Sequence, residues 1–312
     1  MAARAARGAA VIVERIALPR TAEGRLDEAA WHALRREDVT ASDVGALFRV
    51  HQRTTALGLY ADKTQGPAGG DSQAARRGRV LEHFVAAELA LRWGDAAEVE
   101  KADDYLRGRD PADEHMRVGA TPDYYVEREG RRGTLEIKTV NAIKFRRTWI
   151  GARGPEPPLD YVFQARTQAM LAGTDEAVLA ALVCDEAEEI LTWTIERVPR
   201  VEEAIRRRVS IFWRAVAAGT YPMLELGREA AAFDRLPKRY GAVTPMLGDP
   251  RASALAARHQ ERTAQVAEAQ RELREIEDEL RGMMAGAAAV ILPDARRVVV
   301  GRYPGGRRLK VW

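Results

Sequence analysis

The stretch from Thr121 to Val140 constrains this chain most. Two runs rich in Tyr, Val, Ile and Thr, Thr121-Pro122-Asp123-Tyr124-Tyr125-Val126 and Thr134-Leu135-Glu136-Ile137-Lys138-Thr139-Val140, flank a polar, glycine-bearing turn at residues 128–133, which predicts a β-hairpin. Alternation along a strand sets Glu136 and Lys138 on one face and Leu135 and Ile137 on the other. Asp123 opens the first strand, so pairing brings its carboxylate beside Glu136. Two hard oxygen ligands suit Mg²⁺, and a lysine at that edge orients or deprotonates a metal-bound water. The competing reading is a surface hairpin with an ion pair, because an E-x-K triplet arises easily by chance in a chain that is 30% charged.

With 312 residues, 46% of them hydrophobic, the chain holds one large domain or two with a sizeable core. The net charge of +3 is compatible with nucleic acid without requiring it. A lone cysteine, Cys184, excludes internal disulfides and any Cys-ligated iron-sulfur cluster and suits a reducing cytoplasm. The five histidines show no zinc spacing, and no apolar run approaches the ~18 residues of a membrane span. The start, Met1 to Val13, reads as a frayed terminus followed by a short strand.

Along the chain, residues 22–37 read as a helix with Trp31 and Leu34 inward, and Val39-Thr40-Ala41-Ser42-Asp43 caps a second helix carrying Val44, Leu47 and Phe48. Ser42 at such a terminus, near an arginine, is either a plain cap or part of a phosphate site. After a Gly/Pro loop at 66–70, a helix from about Ser72 to Trp93 carries Glu82, a third metal ligand or an exposed glutamate. Residues 94–120 read as irregular strand and loop. Lys144, Arg146, Arg147 and Trp149 form a basic cluster with an aromatic, either a solvated face or a hold on a DNA backbone. A helix over Leu159–Ala172 places Tyr161, Gln164 and Gln168 on adjacent turns. A strand pair (177–183 and 189–195) and an amphipathic helix (201–218) complete an α+β core, a mainly antiparallel sheet flanked by helices. Composition shifts near residue 222, dividing the chain into 1–222 and 223–312. The second part has a loop-rich stretch at 228–250, a long helix over 252–284 and a strand-like tail. In that helix Val266, Leu273 and Leu280, with Ala269, Ile276 and Met283, repeat every seven residues, for packing on the chain's own core or for self-association.

Taken in order, these pieces resemble the phage lambda exonuclease and YqaJ-type viral recombinase family of the PD-(D/E)xK nucleases. The resemblance spans roughly residues 25 to 200 and rests on Ala30-Trp31-His32-Ala33-Leu34-Arg35, Val39-Thr40-Ala41-Ser42, Gly78-Arg79-Val80-Leu81-Glu82, Thr121-Pro122-Asp123, Leu135-Glu136-Ile137-Lys138, and Tyr161 with Gln164 and Gln168. It implies a restriction-endonuclease-like core. It further implies an Mg²⁺ site, open to Mn²⁺, on Asp123, Glu136 and the Ile137 carbonyl, with Glu82 acting directly or through water. Lys138 would act on the attacking water, Gln164 would steady the attacking group or the DNA, and Arg35 and Ser42 would grip a 5′-phosphate. Lys144, Arg146, Arg147, Tyr161 and Gln168 are expected at the DNA. The implied activity is 5′-to-3′ digestion of linear duplex DNA, leaving 3′ overhangs for a single-strand annealing partner. A homo-oligomer, by resemblance a trimer, and a cytoplasmic setting in a phage or mobile element go with it. The alternatives are a non-catalytic DNA-end-binding recombination scaffold and a Cas4-like repair nuclease lacking the cluster.

Overall fold

Strand pairing reaches further in this chain than its charge-rich segments suggest. The computed structural model describes residues 11–66, 73–185, 189–237, 250–284, 287–294, 297–303 and 306–311; most of the loop at 66–70 and of the turn at 304–306 lies outside them. The chain divides into two units, Met1–Pro237 and Lys238–Trp312. In the first, β1 (Ile12–Ala17) leads to α1 (Glu28–Arg36), β2 (Val39–Thr40), the one-turn α2 (Val44–Leu47), α3 (Ala56–Gln65) and α4 (Gln73–Trp93). Strands β3 (Ala97–Lys101), β4 (Asp104–Asp110), β5 (Asp113–Ala120), β6 (Tyr124–Arg128) and β7 (Arg131–Asn141) follow. Then come α5 (Ala142–Thr148), a ribbon of β8 (Ile150–Gly151) and β9 (Gly154–Pro155), α6 (Leu159–Ala172), β10 (Glu176–Cys184), β11 (Glu189–Glu196), α7 (Pro199–Ala217) and α8 (Ala230–Arg235).

The expected hairpin is β6 and β7, closed by two residues instead of the broader 128–133 turn. Arg128 pairs with Arg131, and Glu129 and Gly130 sit at φ 52° and 71°. Two consecutive positive φ values make a type I′ turn, whose twist matches that of the strands it joins. The hairpin lies inside a five-stranded sheet of order β11-β10-β7-β6-β3, antiparallel except where β7 runs parallel to β10. A parallel pair needs a long crossover, here α5 and α6. Strand β10 is covered on both faces, and its run Ala177–Val183 is accordingly apolar throughout. Leu135 and Ile137, with Val178 and Leu182, pack under Val85, Ala86 and Leu89 of α4. The opposite face packs Leu179 and Ala181 against Ala165 and Ala169 of α6, with Phe145 and Trp149. Full burial of a leucine such as Leu135 contributes about 1.5–3 kcal/mol. This is the expected α+β core, a mainly antiparallel sheet flanked by helices.

Residues 94–120 are not irregular. They supply β3, β4 and β5, and a second sheet runs β1-β4-β5-β2. Its density of Asp and Arg reflects buried pairing. Asp38, fully buried just before β2, accepts hydrogen bonds from the Tyr105 hydroxyl at 2.9 Å and from Arg107 Nε at 3.1 Å, and Arg109 Nη1 stands 2.6 Å from its other oxygen. Burial first, then Asp38, pushes the Tyr105 phenol far above its ordinary range. Gly119 makes room for that phenol, since a Cβ there would lie 1.8 Å from the Tyr105 hydroxyl. Below, Val39, Leu106 and Val118 share a core with Leu57 and Leu59 of α3 and with Ile205, Val209 and Phe212 of α7. The first unit runs past residue 222, because Ala232 and Leu236 join this core and Thr55 Oγ1 donates to Glu229 Oε2 at 2.7 Å. Helix α1 is shorter than the predicted 22–37: Asp27 caps it by accepting from the Ala30 amide.

In the second unit α9 (Pro250–Met283) precedes β12 (Ala289–Ile291), β13 (Arg297–Tyr303) and β14 (Gly306–Val311), an antiparallel sheet in that order. No residue of α9 is buried, so the heptad positions Val266, Leu273 and Ile276 remain more than half exposed. Among the described residues, no helix is long and apolar enough to cross a membrane.

Asp38→Ala would leave two guanidinium groups and a phenol without their acceptor. A loss of about 3–5 kcal/mol is expected, read as a lower urea midpoint for the first unit; a loss below about 1 kcal/mol would show that the second sheet does not depend on this carboxylate.

Candidate active site

The β6–β7 pairing begins at Tyr124 opposite Leu135, so β7 continues past the start of its partner, and Asp123 occupies the gap. The Ile137 amide donates to Asp123 Oδ2 at 2.8 Å. The Ile137 carbonyl lies on the same side of the strand, away from the β10 ladder, since a strand residue points both its backbone groups one way. Glu136 projects from the other face toward α6 and is almost completely buried. Gln164 Nε2 donates to its Oε1 at 2.6 Å and Gln168 Nε2 to its Oε2 at 2.5 Å, while the Lys138 ammonium ion-pairs with Oε1. That ammonium also stands 5.0 Å from the Tyr161 ring centroid. Tyr161, Gln164 and Gln168 thus form the single helical face that their spacing predicts, and the whole face serves Glu136 and Lys138.

Charge is unbalanced here. Burial first, then Glu136 and Glu82, pushes the Asp123 carboxyl well above the usual range. Burial lowers the Lys138 ammonium, but Glu136 and Asp123 outweigh it and hold the group above its ordinary value. Glu82 of α4 is half-buried, near enough to Asp123 to raise its carboxyl, and faces Lys101 Nζ at 3.6 Å. Among the described residues no three His, Cys, Asp or Glu side chains form a group that would hold a metal ion as they stand. The donor chemistry nevertheless fits a hard divalent cation: carboxylates crowded enough to repel one another at a strand end with a carbonyl beside them.

The second cluster is joined to the first through Trp31, whose Nε1 donates to Thr121 Oγ1 at 3.3 Å. Arg35 stacks over the Trp31 ring at 4.5 Å and donates to Ser42 Oγ at 3.0 Å and Thr40 Oγ1 at 3.4 Å. Ser42 is not the helix cap, which is Asp43, and α2 is a single turn without a side-chain cap bond. Asp43 instead accepts from Thr40 Oγ1 at 2.7 Å and pairs with Lys63 Nζ at 3.6 Å. Lys63 also donates to the Arg35 carbonyl at 3.0 Å. Burial raises the Asp43 carboxyl, but Lys63, Arg35 and the Thr40 bonds together hold it below its ordinary value.

Two expectations are corrected. Gln168, expected at the DNA, is fully buried and positions Glu136. Trp149, read as an aromatic beside the basic cluster, is buried among Phe145, Tyr161 and Trp193, because its helix turns that side onto the core. Of the cluster itself, Arg146 and Arg147 are exposed and Lys144 half-buried on α5, and Arg146 makes a 3.5 Å surface pair with Asp185. Lys63, Thr40 and Asp43 had no reading as site residues. The only cue in the sequence is their proximity to Ser42 and to an otherwise plain helix.

Gln168→Ala would strip the donor from a buried carboxylate oxygen. A stability loss of about 1–3 kcal/mol is expected in denaturant titration, larger than for Gln164→Ala at the more open end of the face; equal losses would remove Gln168 as the deeper anchor.

No curated protein matches the chain. Among solved structures, an alkaline exonuclease from Laribacter hongkongensis is 23% identical, with a TM-score of 0.47 over 61% of this chain and 93% of its own. A phage related exonuclease from Haemophilus somnus is 13% identical, with a TM-score of 0.41 over 58% of this chain and 94% of its own. Over residues 30–175 the chain is matched by the model of the YqaJ-like viral recombinase domain, the family that its ordered motifs around Trp31, Ser42, Glu82, Asp123 and Glu136 resemble.

Proposed function

We propose that this chain is an Mg²⁺-dependent exonuclease that digests linear duplex DNA from the 5′ end and leaves a 3′ overhang for homologous recombination. The observation that carries the reading is one continuous arrangement: Asp123, Glu136 and Lys138 where β7 outruns β6, joined through the Trp31–Thr121 bond to Arg35 and Ser42. The YqaJ-like match over residues 30–175 supports it.

In this reading Asp123, Glu136 and the Ile137 carbonyl hold Mg²⁺, or Mn²⁺ in its place, with Glu82 contributing directly or through water. Such an ion, when bound, polarises a phosphate and makes its water a stronger nucleophile at neutral pH. The chain's own groups do the remaining work. Lys138 donates to an oxygen at the scissile phosphate or to the attacking water, Gln168 fixes the Glu136 carboxylate, and Gln164 bridges that carboxylate to the open side. Arg35 and Ser42 take the terminal 5′-phosphate by charge-assisted hydrogen bonds, which selects an end over an internal site. Lys144, Arg146 and Arg147 face the DNA backbone. A single-strand annealing partner and a ring of subunits, a trimer by family resemblance, complete the proposed setting.

A second reading has one observation in its favour. Both Glu136 oxygens are already engaged by Lys138, Gln164 and Gln168, as they would be in an end-binding scaffold that does no chemistry. Chelation separates the two, because binding survives EDTA and cleavage does not.

Lys138→Ala should lower release of mononucleotides from a 5′-phosphorylated linear duplex in Mg²⁺ by about 10² or more, with end binding within about twofold; wild-type turnover would remove the lysine from the mechanism. Arg35→Ala should reduce the preference for a 5′-phosphate over a 5′-hydroxyl by about tenfold or more, measured as the ratio of digestion rates on the two ends. An unchanged ratio would place phosphate recognition elsewhere.

A further inference from the structure

Helix α7 carries four arginines on its outer side, and its groove has no role in the chemistry above. The groove, of about 600 Å³, is lined by Phe48, Arg200, Glu203, Arg207, Arg208 and Ile211. Arg200, Arg207 and Arg208 are exposed, and among the described residues none of the three is in an ion pair. Arg208 instead lies over the Phe48 ring, 5.8 Å from its centroid. Phe48 is half-buried and stacked on Phe163 of α6 at 4.3 Å, and Ile211 is 51% exposed. The surface therefore combines three arginines, which outnumber the one lining carboxylate of Glu203, with an apolar floor of Phe48 and Ile211. Toward its other end Arg206 and Arg214 continue the arginine row, but Asp110 and Asp113 stand among them and Arg214 pairs with Asp113, so the excess of positive charge is smaller there.

We infer that this groove binds single-stranded DNA, an inference that rests on the reading of the chain as acting on DNA ends. Charge complementarity selects a phosphate backbone, and the floor selects the single strand. Unpaired bases stack on aromatic rings and guanidinium planes, here the Arg208 guanidinium over Phe48 beside the exposed Ile211, whereas a duplex keeps its base faces inside. Position agrees with this. Phe48 follows Ser42 by six residues and is the residue that ends the one turn of α2, so the groove and the proposed phosphate pocket flank one short segment. An end opened at that pocket delivers a displaced strand within reach. The groove gives that strand a track, and its arginines are positioning residues outside the reacting atoms.

The test uses the full chain in EDTA and a fluorescein-labelled oligo(dT) of roughly 15 nucleotides with a 5′-hydroxyl, alongside a 5′-phosphorylated blunt duplex of the same length. The Arg207→Gln/Arg208→Gln variant should bind oligo(dT) about tenfold or more weakly at moderate salt, while duplex affinity changes less than about twofold. Its slope of log affinity against log salt for oligo(dT) should fall by about 1.4, the value for two lost phosphate contacts on a single strand. Unchanged oligo(dT) affinity would overturn the inference, as would equal losses on both probes, which would mark a general electrostatic surface. Absence of Mg²⁺-dependent duplex digestion by the wild type would defeat the nuclease reading separately, and the oligo(dT) comparison would still decide the groove.

Discussion

A carboxylate taken out of water needs donors on both oxygens, and Glu136 finds them on one helix. Gln164 and Gln168 reach it from α6, and Lys138 from its own strand. This constraint fixes the register of α6 over β7 more tightly than the alanines between them, since Ala165 and Ala169 tolerate sliding and a hydrogen bond at 2.5 Å does not. Once α6 is set, its other sides are set as well. Phe163 meets Phe48, and so the helix that shapes the acidic site also fixes the end of α2 and the floor of the α7 groove.

The four-stranded sheet is held by polar contacts of a similar kind. Asp38 gathers Tyr105, Arg107 and Arg109 at the head of β2. Trp31, on the helix just before it, reaches across to Thr121 at the foot of the hairpin. The Arg35–Ser42 cluster hangs between these two anchors, which is why a short helix and a two-residue strand suffice to hold it. Removing a partner from such buried networks costs more than the network contributes net, because the groups left behind stay buried without a bond.

Legibility followed period and pattern. The hairpin, the face of α6 and the β10–β11 pair were readable because apolar residues alternate or recur at helical spacing. Leu159–Ala172 falls where its sequence placed it. Strands β4 and β5 were not readable, since Arg107 and Arg109 look like loop residues until Asp38 is seen to pair with both from a distance of about seventy positions. Lys63 was missed for a related reason: one lysine on a short helix carries no local signal, and its partners Asp43 and Arg35 lie twenty or more residues away. Trp149 shows the converse error, in which an aromatic among basic residues looked like a surface feature and was the ring that the core needed.

The two clusters gather charge differently. Around Asp123 the acids Glu136 and Glu82 crowd a buried carboxyl, and Lys138 and Lys101 do not neutralise all three. Around Ser42, Arg35 and Lys63 face Asp43, with Asp38 and Asp62 also acting on Lys63. A region crowded with carboxylates thus adjoins one gathered around two cations, linked by the Trp31–Thr121 bond. Either gathering of like charge is a cost to folding in a low-dielectric setting. The first cluster is held by the five-stranded sheet and α6, the second by α1, α3 and the segment after β2, so each keeps its charges in place independently of the other, which is the arrangement that the proposed chemistry requires.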